Sequence, residues 1–80
     1  MRPTYYDAIR ADAFVQLSRL TVRERQVLAM VARGMKCSAI AHLLGISLNT
    51  AKDHKRAIRE KLGVHTSIEA AVIAAKAGSV

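Results

Sequence analysis

Residues 40–63 read IAHLLGISLNTAKDHKRAIREKLG, and the way this stretch folds decides the architecture. Ile40, Ala41, Leu43 and Leu44 make a short apolar segment that Gly45 ends. Ser47 supplies an oxygen suited to capping a new helix. From Leu48 to Leu62 an apolar residue returns every three or four positions, which predicts a helix over 48–62 that Gly63 stops. Ala41 is small where the two helices must approach closely. Gly45, four residues later, accepts the positive φ that a tight turn requires. Ile40, Leu44 and Ile46 are apolar where the pair must face a core, and Ala51, Ile58 and Leu62 form the inward stripe of the second helix, with His54 between them.

Helix signals continue on both sides. In LTVRERQVLAMVARG, residues 20–34, Thr21 and Glu24 form a T-x-x-E capping box, Val27, Leu28 and Val31 an apolar stripe, and Gly34 a stop. Residues 37–44 have a weaker start, because Lys36 or Cys37 stands where a capping oxygen is usual. Thr66 and Glu69 repeat the box ahead of a helix over 67–77. Tyr6, Ile9, Ala13 and Leu17 fall at helical spacing within residues 4–18, with Pro3 just ahead. No long stretch alternates apolar and polar residues, and β-branched residues do not cluster, so the expected class is all-α: a small helical bundle of five helices with short connections.

Eighty residues suffice for one small domain. Thirteen Lys and Arg oppose six Asp and Glu, a formal charge of +7, which favours a polyanionic partner, nucleic acid before an anionic membrane. No apolar run approaches the ~20 residues of a spanning helix, and a signal-peptide core is lacking. Cys37, the single cysteine, cannot form an intrachain disulfide. A reduced, cytoplasmic protein is expected. His42, His54 and His65 are too scattered to hold a metal. No nucleophile–base pair, carboxylate pair or phosphate loop is visible, so neither enzymatic activity nor a cofactor is expected.

The charge in the quoted stretch is unequal. Residues 47–63 carry five Lys and Arg against Asp53 and Glu60. With Ala51, Ile58 and Leu62 inward, Asn49, Lys52, Asp53 and Arg56 share the outward face at i, i+3, i+4 and i+7. That set suits groove reading: Lys52 and Arg56 donate to guanine O6 and N7, Asn49 pairs with adenine, and Asp53 accepts from cytosine N4. Asp53 has a second role open to it, pairing with Lys52 or Arg56 to orient them. Thr50, Lys55 and Arg59 fall on the flanks, suited to phosphates, and Ser47 opens the helix at its positive dipole end.

Two short helices around a tight turn, the second basic, resemble a helix-turn-helix. The wider order of LTVRERQVLAMVARGM, IAHLLGISLNTAKDH and REKLGVHTSIEAA resembles the LuxR/FixJ/GerE-type DNA-binding domain of bacterial transcription regulators, over roughly residues 18–78. The resemblance implies a four-helix domain over residues 20–80, preceded by an N-terminal helical extension over 1–19. It implies that the third family helix enters the major groove of double-stranded DNA. The family's base-reading positions fall on Asn49, Lys52, Asp53 and Arg56. The chain departs from the family pattern at Gln26, usually Glu, and at Ala51, usually Val. It departs again at Ser38, where the family places a phosphate-contacting lysine that Lys36 is near enough to replace.

The resemblance further implies that the last helix pairs two copies. That helix is apolar on two sides. Ile68, Ala71, Val72 and Ala75 make one stripe, expected to dock on the domain. Ala70, Ile73, Ala74 and Ala77 make another, expected to form a homodimer interface. The alternative is that the N-terminal helix covers this second face. Tyr5, Tyr6, Ile9 and Phe14 of that helix are candidates to pack on the domain, extend a dimer or bind another protein. The leading function is a sequence-specific, dimeric transcription regulator. The alternative is a protein-interaction module, an anti-activator or co-regulator that pairs with a larger regulator or with RNA polymerase.

Overall fold

The computed structural model describes residues 4–78. It contains α1 (Tyr5–Leu17), α2 (Val22–Ala32), α3 (Cys37–Leu44), α4 (Leu48–Leu62) and α5 (Ser67–Lys76), with no strand among the described residues. The all-α expectation holds. Pro3 and the side chains of Tyr5 and Tyr6 lie outside the described set.

Local chemistry sets the helix ends. At the start of α2 the Glu24 N–H donates to Thr21 Oγ1 at 3.1 Å, and the Thr21 N–H donates to Glu24 Oε1 at 2.8 Å. This capping box satisfies two N–H groups that the helix cannot satisfy internally. At α5 only half of the expected box forms. The Glu69 N–H donates to Thr66 Oγ1 at 3.2 Å, but the Glu69 carboxylate takes the Thr66 hydroxyl, also at 3.2 Å, rather than the backbone N–H. Thr66 is more extended than Thr21, with φ −129° against −69°, so the two backbone N–H groups are differently aimed. No side chain caps α3 at Lys36.

The turn between α3 and α4 is short because Gly45 sits at φ 66°. A Cβ there would meet nothing within 4 Å, so the glycine is needed for its backbone conformation and not for space. The Ile46 N–H then closes the turn on the Ala41 carbonyl at 3.0 Å. Gly63 stops α4 in the same left-handed way at φ 68°.

One core joins Leu20, Val27, Leu28, Ile40, Ile58 and Leu62 to residues of α1 and α5. Ala41 and Ala51 are buried where α3 meets α4. The two methyl groups that Ala51 lacks relative to valine therefore fall inside the domain.

The orientation of α5 corrects the sequence reading. Ala70, Ile73, Ala74 and Ala77, expected at a dimer interface, are buried in the domain, Ala74 at 1 % exposure. The stripe expected to dock faces outward: Ile68 is 77 % and Val72 46 % exposed, Ala75 is exposed and Ala71 half-buried. The physical reason is the pair of neighbours. Helix α5 packs against both α2 and α1, and alanines permit that close double approach where branched side chains would hold the helices apart. Ala13 and Leu17 of α1 are buried in the same cluster and Ile9 is half-buried, whereas Phe14 is exposed.

No helix of the described residues is long and apolar enough to cross a membrane.

Candidate nucleic-acid interface

Helix α4 carries the expected residues on a rigid support. Ala51, Ile58 and Leu62 anchor one side in the core. A helix so anchored must present the opposite side to solvent. Asn49, Lys52, Asp53 and Arg56 are all exposed. Arg56 Nη1 lies 3.9 Å from Asp53 Oδ1, with the two side chains 66 % and 69 % exposed. The contact is long and solvent-exposed, so it orients the guanidinium only weakly.

The flanking residues divide. Ser47 accepts the Thr50 N–H at 3.0 Å, and the two hydroxyls share a hydrogen bond of 2.8 Å. Both remain exposed at the positive end of the helix. Lys55 and Arg59 are half-buried and border a narrow cleft with Leu28, Val31, Ser67 and Ala70. Half-burial of such long side chains fits aliphatic stems lying on apolar surface with the charged ends outward. Lys36 is exposed at the uncapped start of α3. His42 is exposed and His54 half-buried. Among the described residues no group of His, Cys, Asp and Glu is placed to hold a metal ion.

Lys61 has a role that the linear pattern hides. Its Nζ lies 2.6 Å from Glu24 Oε1, 37 residues away. It therefore ties the last turn of α4 to the first turn of α2 rather than adding a free cation to the helix surface. Burial pushes the Glu24 carboxyl up. The Lys61 ammonium and the Thr21 backbone and hydroxyl hydrogen bonds outweigh this and hold it below the usual carboxylate range. The signal was present in the sequence: Glu24 shares the helical face of Val27, Leu28 and Val31. An acid on an apolar face needs a buried partner, but spacing along the chain cannot say which cation provides it.

Matched against protein families, residues 18–74 fit the family described as bacterial regulatory proteins, luxR family. The chain belongs to this luxR family. Its members are DNA-binding transcription regulators, not a class of enzymes. The chain is 36 % identical over 72 residues to the uncharacterized response regulatory protein YgeK of Escherichia coli, covering 82 % of this chain and 49 % of that protein. It is 38 % identical over 65 residues to the transcriptional activator RamA of Corynebacterium glutamicum, covering 81 % and 23 %. With the transcriptional regulatory protein UhpA of Escherichia coli the identity is 46 % over 52 residues, covering 65 % and 26 %. The chain thus spans half or less of the length of these luxR-family relatives. No solved structure matches significantly.

Proposed function

We propose that this luxR-family chain is a sequence-specific reader of double-stranded DNA that acts in transcription regulation. Helix α4 lies in the major groove. Asn49, Lys52, Asp53 and Arg56 meet base edges, and Lys36, Ser47, Thr50, Lys55 and Arg59 meet the phosphate backbone. The observation that carries this reading is the two-sided character of α4: a fully packed face of Ala51, Ile58 and Leu62 opposite an exposed row of hydrogen-bonding side chains. Residues 20–80 form the DNA-binding unit and residues 1–19 an extension.

The functional form is a homodimer. The face of α5 left outside the core, Ile68, Val72 and Ala75, supplies an isologous contact that sets two α4 helices on successive major-groove faces. Burying Ile68 and Val72 against their copies removes two large exposed aliphatic side chains from water. The formal charge of +7 makes binding fall steeply with salt.

Selection of bound DNA from a random pool tests this directly. It should return a site of two related half-sites about one helical turn apart. Lys52→Ala and Arg56→Ala should each weaken binding to that site by about 1–3 kcal/mol, with relaxed choice at particular base pairs. Selection that returns no preferred sequence, or a footprint indifferent to both substitutions, overturns the proposal.

A further inference from the structure

A second surface lies where the end of α1 meets α2 and α5. A cleft of about 350 Å³ opens there, with Leu17, Val22, Arg25, Gln26, Ala29 and Ala74 among its lining residues and none from α4. Its walls are mostly apolar. Val22 is 65 % exposed on its edge, and Phe14, one turn before Leu17 on α1, is 54 % exposed. A large aliphatic side chain left open on the edge of an apolar cleft, as Val22 is, is a feature of binding surfaces.

The outward-facing charges of α2, which forms one wall of the cleft, have one sign. Arg25 is the charged residue of the lining. Arg23 beside Val22 and Arg19 just before α2 are also exposed. The acid of α2 does not balance them, because Glu24 is turned inward and held by Lys61. The outer face of α2 therefore combines an apolar floor with uncompensated guanidinium groups. The volume is near the lower limit of small-molecule pockets, about 300 Å³. The polar side chains of the lining, Arg25 and Gln26, are both exposed, so a small ligand would lack an enclosed polar anchor. Apolar side chains from successive turns of a helix fit such a trough better, and carboxylates beside them answer the arginines.

We propose that this cleft is a docking groove for an acidic amphipathic helix of another protein. Its apolar side chains insert between α1, α2 and α5, and its carboxylates face Arg25, with Arg19 and Arg23 strengthening the field. The groove shares no lining residue with the row Asn49 to Arg56, so the proposal goes beyond the DNA-reading function and does not depend on it.

The test is a titration of the isotope-labelled 80-residue chain with a synthetic helix, followed by amide NMR. The probe carries leucines at i, i+3, i+4 and i+7 and glutamates elsewhere. Shifts should concentrate on residues 17–29 and around Ala74. Arg25→Glu should weaken binding by about tenfold and Val22→Ser by about fivefold, as for residues that meet a partner at a charged and apolar contact. Both positions are exposed, so thermal melts of the variants should match the parent and separate lost docking from lost folding. The Lys52→Ala/Arg56→Ala double variant should keep peptide affinity while losing DNA affinity, which distinguishes failure of this proposal from failure of the DNA reading. Shifts concentrated on α4, equal binding of a probe with lysines in place of glutamates, or indifference to Arg25→Glu would each overturn it. So would shifts at the cleft that follow protein concentration alone, since a second copy would then be the occupant.

Discussion

Helices α4 and α5 are both amphipathic, yet only one has an orientation that its own sequence dictates. In α4 the positions facing away from Ala51, Ile58 and Leu62 are polar or charged except Ala57, and only one rotation about its axis avoids burying cations. In α5 both Ile68/Val72/Ala75 and Ala70/Ile73/Ala74/Ala77 are apolar, so two rotations about 180° apart satisfy the hydrophobic effect almost equally. The choice between them falls to shape. The alanine-rich face wins because α5 must fit close to two helices at once. Polar residues specify an orientation by what they forbid, and apolar residues specify it only through the fit of their neighbours.

Substitutions on the two sides of α5 should separate sharply if this is correct. Ile73→Ala, on the buried side, should cost about 2–5 kcal/mol of folding stability in a urea melt, through lost transfer energy and the cavity left behind. The effect of the tie between the end of α4 and α2 is smaller. Glu24→Gln retains an amide able to complete the capping box but loses the ionic contact with Lys61, and should cost about 1–2 kcal/mol at neutral pH. The pH dependence gives the sign. Because the folded Glu24 pKa lies below its ordinary value of 4.5, its stabilisation is complete above that value and disappears as the pH falls through the lower, folded one. The gap between parent and variant should be flat above about pH 5 and close on further acidification, as checked by denaturant melts across that range. A gap that widens in acid would contradict the assignment.

The smallest stability change belongs to the outer side of α5. Val72→Ala should alter monomer stability by no more than about 0.5 kcal/mol. Val72→Asp should leave a dilute monomer folded but abolish any self-association detected by sedimentation and weaken DNA binding through loss of the paired half-site. If Val72→Asp unfolds the monomer, the two faces of α5 have been assigned the wrong way round.

Most of the architecture was legible in the sequence because it rests on local chemistry. The Thr21/Glu24 box, the Gly45 turn and the Ser47 start each rest on groups within five residues of one another, and the α3 and α4 boundaries fall at residues 37–44 and 48–62 as their spacing indicates. The exposure of Asn49, Lys52, Asp53 and Arg56 followed from the polar contrast across α4. What escaped was non-local. Whether the docked face of α5 contained Ile73 or Val72 depended on α1, and the partner of Glu24 depended on where α4 ended in space. The half-formed box at Thr66 depended on one backbone torsion that T-x-x-E spacing does not encode.

Gly63 has a consequence for any paired assembly. The left-handed stop there, and the Val64 N–H bonded back to the Arg59 carbonyl at 3.0 Å, turn the chain from the end of α4 into α5 within residues 63–66. That elbow is a ruler. In the proposed dimer it fixes the angle between the base-reading helix and the pairing helix, so the distance between two recognition sequences would be set by residues 63–66. Lengthening the elbow by one residue would leave each half able to grip its own site while spoiling their phase along the double helix.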